Sequence, residues 1–444
     1  MPRSFNGFFI VCALAIVCFA LLSLGCGNYN YTGFGTNGTV TGGTGSGASG
    51  LSERVFAANL NPSVGTSAIQ VVDAAKDLPA LNSSTLQPFR VALGGSLPTL
   101  MIPGANNTTI TFNSGDNGIS VVDNSTEALI KTLGSTDCSP TPTPCEFPLP
   151  GPTESIDESS DGKFIYTAIP STSQVTTIPI TASTIKAASI PATPLNCQST
   201  NNCLPGAHRI VLSHNNNKLL VFNEQLPSQL EIINTADSTV QTVSLPGQLD
   251  HPIYGVFSSD DSKAYILNCG AECGGTQASI AVLDMTALTV SQSVPVDAAT
   301  IAISDSSNLY VAGSNPRTAT PGSGSLTILS LSSLTVGKQI TISDGFHQVI
   351  ALFQNKVIVG ARNCTAGCMS LVDPGAGTAI VDAAKGPVTA ITGITPRTVF
   401  YTAEGGEVRV YDVATGNEHL SNNTPVIDVV GQVTSVLYVG PKTQ

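Results

Sequence analysis

From Leu51 onward the chain alternates short apolar runs with polar turns, and one pattern returns eight times. An apolar strand, alternating from side to side, closes on a small polar residue. AIQVVD ends at Asp73, GISVVD at Asp123, VTTIPIT at Thr181, LEIIN at Asn234, SIAVLD at Asp284, SLTILS at Ser330, MSLVD at Asp373 and VRVYD at Asp412. Period-two alternation predicts half-buried strands. Asp, Asn, Ser and Thr can each accept a hydrogen bond from a backbone N–H two or three positions on, which favours a tight turn into the next strand. A carboxylate ring or a metal site would need Asp throughout. The free exchange with Asn, Ser and Thr points to the turn.

Before most of these strands runs another with aromatic or aliphatic side chains: TITF, FIYTA, LLVFN, AYILN, NLYVAG, KVIVGA, TVFYTAE. Ahead of several stands a further strand and a polar turn, as in RIVLSHNNNK, YGVFSSDDSK and TIAISDSSN. The unit is therefore a four-stranded antiparallel meander, and its repetition predicts an all-β propeller. No sustained helical periodicity appears outside the N-terminal segment. One unit departs from the pattern, with Pro179 inside its third strand. At the C-terminus TPVIDVVGQVTSVLYVGPKTQ reads as the start of a blade, strand, turn and strand, while the unit at Arg54 lacks a clear innermost strand. Joining the two ends would close a ring of eight blades. Seven follow if one weak unit is an insertion.

ITFNSGDNGISVVDNSTEALIKTL, Ile110 to Leu133, resembles the YVTN-type repeat of bacterial secreted propellers, a superfamily that also takes in lactonase-like proteins. The resemblance spans Leu51 to Gln444, strongly in only some blades. It implies a propeller and, through the lactonase-like members, ring opening of a sugar lactone, but no motif carries catalytic residues onto this chain. The absence of Trp sets aside the Trp-Asp repeats, the sialidase Asp-box and the quinoprotein propellers. Gly-Gly pairs starting at Gly94, Gly274 and Gly405 do not recur at blade spacing, against kelch repeats.

The N-terminus changes the picture of where this propeller works. Arg3, an apolar run from Phe8 to Leu24 and then Gly25-Cys26 have the layout of a secretory signal; an uncleaved membrane anchor is the alternative. Leu22-Ser23-Leu24-Gly25-Cys26 resembles a bacterial lipobox, which implies lipidation of Cys26. The expected organisation is a signal over residues 1–26, a flexible Gly/Ser/Thr/Asn-rich tether over 27–50 and the propeller over 51–444. The folded part is then extracytoplasmic and tied to a membrane by the lipid alone, in the periplasm or at the cell surface. Gly27, where many inner-membrane lipoproteins have Asp, favours the outer membrane. A formal charge of -12, with 18 Lys and Arg against 30 Asp and Glu, argues against nucleic acid as a partner.

Eight cysteines beyond the N-terminal segment fall into four close pairs: Cys138 and Cys145, Cys197 and Cys203, Cys269 and Cys273, Cys364 and Cys368. Outside the cytoplasm, short-range pairing predicts local disulfides. Zinc would need ligands gathered from different blades, and C-x3-C is a poor match to the usual spacing; no metal or cofactor is expected. In a meander the loop between second and third strands opens on the same face as the links between blades. All four clips should gather there, stiffening a rim for recognition or protecting long loops from proteolysis.

His208, His251 and His347 each stand near the start of an expected innermost strand, in GAHRIVLS, LDHPIYGVF and GFHQVIALF. Imidazoles there could meet at the mouth of the central channel, with Glu154 as a carboxylate and Arg209 and Tyr254 as ligand contacts. Isolated rim residues are the alternative, since the three registers differ. Nucleophile motifs such as G-x-S-x-G and phosphate-cradling loops are absent. The expectation is a lipid-anchored envelope scaffold binding a protein, glycan or small molecule on its loop face. A lactonase-like hydrolase working at the channel mouth is the alternative.

Overall fold

The computed structural model describes residues 49–60, 68–82, 86–93, 95–133, 149, 151–180, 207–223, 226–314, 323–419 and 425–440. Cys26 and the tether up to residue 48 lie outside the described residues, as do the pairs Cys138/Cys145 and Cys197/Cys203.

Apolar strands of this kind must pair their backbone groups and bury both faces, and a ring of face-packed sheets does both. Eight antiparallel sheets follow one another around the ring. Blade 1 holds Arg54–Leu60 and Ala68–Asp73, its outer edge shared by Leu78–Pro79 and Arg90–Ala92. Blade 2 runs Pro98–Gly104, Thr108–Asn113, Gly118–Asp123, Ala128–Leu133. The described part of blade 3 is Ser155–Glu158, Phe164–Ile169, Gln174–Pro179. Blade 4 is Ala207–Leu212, Lys218–Asn223, Gln229–Asn234, Val240–Ser244, and blade 5 is Pro252–Phe257, Lys263–Asn268, Ser279–Asp284, Val290–Pro295. Blade 6 is Ile301–Ser304, Asn308–Ser314, Gly324–Ser330, Val336–Ile342. Blades 7 and 8 are Phe346–Phe353, Lys356–Arg362, Met369–Asp373, Thr378–Val381 and Val388–Gly393, Val399–Glu404, Glu407–Asp412, Val426–Ile427.

The innermost strand of blade 1 comes from the other end of the chain. Gln432–Tyr438 pairs antiparallel with Arg54–Leu60, so the ring is closed by hydrogen bonds between the two ends. One detail differs from the sequence reading: Val426–Ile427 belongs to blade 8 as its outermost strand, and a single strand crosses over. Pro179, read from the sequence as lying inside its third strand, is the last residue of it, opposite Phe164, where a missing N–H costs least. Each innermost strand contacts the next, and that of blade 8 contacts Gln432–Tyr438, around the full circle.

Alternation then does the packing. In blade 5, Ile266, Ala281 and Leu283 face Leu220, Phe222 and Leu230 of blade 4, while Leu267, Ile280 and Val282 face Leu309 and Val311 of blade 6. The same division recurs at every gap, the last of which sets Val55 and Ala57 against Tyr401 and Val410. Each fully buried aliphatic or aromatic side chain contributes about 1.5–3 kcal/mol.

The residues that close the third strands are turn formers, as their chemistry predicts. Asp123 Oδ1 accepts the N–H of Ser125 at 2.7 Å, Asp284 Oδ1 those of Thr286 and Ala287 at 2.8 Å, Asp373 Oδ1 that of Ala376 at 2.8 Å and Asn234 Oδ1 that of Ala236 at 3.1 Å. One turn also locks the ring. Arg397 of blade 8 donates to both carboxylate oxygens of the buried Asp77 of blade 1, at 2.5 and 2.7 Å, and the Tyr401 hydroxyl donates to Asp77 as well. Removing one partner of such a pair strands the other without compensation. Asp77→Ala is expected to destabilise the fold by about 3 kcal/mol, measured as a fall in the urea midpoint with the slope of the transition unchanged. A midpoint equal to wild type would show that the lock is not needed.

Candidate functional site

The channel mouth is built by a backbone irregularity. In six blades the innermost strand slips by one residue near its start, between Pro98 and Leu100, Ala207 and Arg209, Pro252 and Tyr254, His347 and Val349, Val388 and Ala390, and opposite Ala58 and Asn59. Each bulge leaves one residue unpaired and re-aims its side chain. Gln348 uses that freedom to donate to Val388 O of the next blade at 2.9 Å, and Thr434 to Pro98 O at 2.6 Å.

Against this register the three histidines separate. His208 is the unpaired bulge residue of blade 4, half-buried, with Nε2 3.2 Å from Glu154 Oε2. His347 sits one register earlier, in a paired position, and is fully buried. Its Nε2 donates to Ser343 O at 3.0 Å, Nδ1 has no partner, and burial lowers its pKa to about 4, so the ring is neutral. His251 lies one residue before the strand, in a left-handed backbone conformation (φ 57°), with its ring on Asp250 at 2.8 Å. The structure does not bring the three imidazoles together. Among the described residues no cluster of His, Cys, Asp and Glu is arranged to hold a metal.

What does meet at the mouth is a different set. Arg209 donates to Thr300 O, two blades on, at 3.1 Å, and its guanidinium lies 5.8 Å from the centre of the Tyr254 ring between them. Arg362, exposed at the end of the second strand of blade 7, stacks 4.7 Å over the ring of Phe346. The carboxyl of Glu154 is held below the usual range first by its hydrogen bond with His208, and then, against the opposing effect of partial burial, by the positive charges of His208, Arg362 and Arg209. Glu154 belongs to blade 3 and Arg362 to blade 7, which are diametrically opposed in a ring of eight. Their coupling therefore acts across the mouth. Deeper in, Asp157 accepts the Leu212 N–H at 2.9 Å, and burial raises its pKa.

Among the described residues two disulfides stand on the same face, Cys269–Cys273 and Cys364–Cys368, each clipping the loop between second and third strands. Each clipped loop is bracketed to the preceding link by an Asp–Thr pair. Asp250 Oδ2 accepts the Thr276 N–H and O–H, both at 2.7 Å; Asp344 Oδ2 accepts the Thr365 N–H at 2.8 Å and its O–H at 2.5 Å. For Asp250, burial would raise the pKa, but the donors from Gln277, His251 and Thr276 outweigh it and hold the carboxylate ionised. Gly275 approaches Asp250 so closely that a Cβ would overlap its carboxylate, and Gly367 is likewise confined by Asp382 O. A hollow of about 430 Å³ opens beside the first bracket, lined by Pro227, Gln248, Asp250, Thr276 and Gln277 among others.

Sequence reasoning placed Glu154, His208, Arg209 and Tyr254 at the mouth and missed Arg362, Phe346, Asp250 and Asp344. A signal existed for the last two: Asp precedes the innermost strand of each blade that carries a C-x3-C clip, in LDHP and SDGFH.

No known protein family and no curated protein matches the sequence. Solved structures do. Dihydro-heme d1 dehydrogenase NirN, in complex with DHE, is similar with a TM-score of 0.60 at 10% identity, covering 89% of this chain and 77% of that one. The computationally designed Ika8 protein is similar with a TM-score of 0.50 at 11% identity, over 79% of this chain and 97% of that one. At such identities the likeness shows the propeller fold alone.

Glu272, inside the first clip, reaches blade 6 to accept the Ser314 N–H at 2.8 Å, and burial raises its pKa to about 7. A carboxyl raised from 4.5 in the unfolded chain to about 7 in the fold binds more protons when folded. Its contribution to stability is complete below pH 4.5 and is lost as pH rises through 7. Stability should therefore fall between pH 5 and pH 8, with Glu231, also raised to about 7 by burial, acting in the same sense. Glu272→Gln is expected to flatten that slope in denaturation curves taken across the range; an unchanged slope would contradict the assignment.

Proposed function

We propose that this protein is a binding or interaction scaffold of the bacterial cell envelope, lipid-anchored through Cys26, with the clipped loop face and channel mouth turned to a protein, glycan or small-molecule ligand. The observation that carries the reading is the double bracket: two loops on the mouth face, each held by a disulfide and an Asp–Thr pair. Loops fixed in advance lose little entropy on binding, which favours recognition. The acidic balance of the chain argues against a polyanionic partner. The resemblance of Ile110 to Leu133 to the YVTN-type repeat supports a secreted propeller, and the complex of the similar NirN with DHE supports a small-molecule ligand as one occupant. A lactonase-like activity would use the same mouth, with His208 and Glu154 as its proton-transfer pair.

The test uses the full chain in mild detergent, immobilised and screened against glycans, peptides and metabolites, beside a Cys364→Ser/Cys368→Ser variant. Each clip contributes about 2 kcal/mol to the fold, so the variant remains folded. Ligands of the loop face are expected to bind it about tenfold more weakly, the cost of ordering a freed loop. Sugar and aliphatic lactones are offered to both proteins in parallel. No turnover is expected, and turnover abolished by His208→Ala would replace the scaffold by a hydrolase.

A further inference from the structure

We infer that the hollow beside the first clip is a binding site for a short neutral saccharide. This rests on the reading of the loop face as the binding face, and names the chemistry that one part of it selects. Blades 4 and 5 build the hollow together, from the loop after the second strand of each, the link between them and the end of blade 5's outermost strand. Its volume of about 430 Å³ falls within the range of small-molecule sites, about 300–1,000 Å³. The walls are fixed in advance. Asn268, fully buried, accepts the Asp250 N–H at 3.2 Å and donates to Ser279 Oγ at 2.9 Å and Gln248 O at 3.4 Å, which ties the link to the inner wall. The disulfide from Cys269 to Cys273 holds the next turn.

The hydrogen-bonding capacity left open in the hollow is neutral. Asp250 is the one charged residue of the described lining, and both its oxygens are engaged: Oδ1 by the His251 ring at 2.8 Å, Oδ2 by the N–H groups of Thr276 and Gln277 at 2.7 and 3.0 Å and by the Thr276 hydroxyl. Among the described residues the hydroxyls of Ser228 and Ser293 and the side-chain amide of Gln248 make no hydrogen bond, and the Ser279 hydroxyl, whose oxygen is held by Asn268, has no acceptor for its own hydrogen. Hydroxyls and primary amides both donate and accept, as the hydroxyls of a sugar require. Pro227, Pro246 and Pro295 supply apolar surface for its C–H groups. The described lining contains no Lys, Arg or aromatic residue, so an anion would find no cation and a flat aromatic body no ring to stack on.

Maltotriose, cellotriose, N-acetylchitotriose, trigalacturonate and hexaproline are titrated into the full chain in a detergent without a sugar headgroup, and binding is followed by saturation-transfer NMR. A neutral trisaccharide is expected to bind about tenfold more tightly than trigalacturonate, whose carboxylates would go unpaired. Ser293→Trp, at an exposed position, fills the hollow and should weaken that sugar by more than about tenfold. Gln248→Ala, exposed as well, should weaken it about fivefold, the loss of one hydrogen-bonding side chain. No binding of any neutral trisaccharide at tens of millimolar, an affinity that either variant leaves unchanged, trigalacturonate bound as tightly as the neutral sugars, or hexaproline bound in their place would each overturn the proposal. A hollow that ignores sugars leaves ligand capture by the second clipped loop measurable through Cys364→Ser/Cys368→Ser, so the two readings fail separately.

Discussion

Everything at the mouth depends on one strand pairing. Gln432–Tyr438 lies against Arg54–Leu60, with Val55 opposite Tyr438 and Leu60 opposite Gln432, and this pairing converts a row of sheets into a ring. An open row would leave the inner edge of blade 1 unpaired and one apolar gap uncovered, the gap now filled by Val55, Ala57, Tyr401 and Val433. It would also place blades 3 and 7 at no fixed distance. With the ring closed, blades 3 and 7, which carry Glu154 and Arg362, take fixed places on opposite sides of it although more than two hundred residues separate the two. Ring closure is thus the step at which a repetitive, locally folded chain acquires a site.

The second constraint is the bulge. A one-residue slip moves every later side chain to the other face of a strand. His208 occupies the slipped position and meets Glu154; His347 precedes it and is swallowed by the core; His251 stands outside the strand and serves Asp250. Three residues that look alike in sequence thereby receive three unrelated roles. The pairing of His208 with Glu154 is cross-blade, as is the reach of Arg209 to Thr300. Cross-blade contacts are where a propeller can vary chemistry without altering the blade itself.

The fold was legible because its causes are local. Period-two alternation, the polar residue closing each third strand and the unmatched ends at Arg54 and Gln432 each state a strand, a turn or a missing partner. The two described disulfides were legible for the same reason, their sulfurs being four residues apart. The mouth was legible only in part. Glu154, His208, Arg209 and Tyr254 lie next to the starts of innermost strands, which sequence can locate. Arg362 ends a second strand, and nothing in RNCTAGC announces that its guanidinium will fold back over Phe346. The bulge was invisible as well, since it is set by how the strand meets its neighbours and not by a residue type: His, Ile, Gln and Thr all occupy it.

The central claim is that opposite blades share one electrostatic site at the mouth. Its most direct measurement is the titration of the Glu154 carboxyl, followed by carbon NMR in protein labelled at glutamate, in the native sequence, in His208→Ala and in Arg362→Gln. The account predicts a midpoint below that of an ordinary glutamate, raised most by His208→Ala and raised again, by a smaller amount, by Arg362→Gln. A midpoint that ignores Arg362→Gln would mean that blades 3 and 7 do not sense each other across the channel.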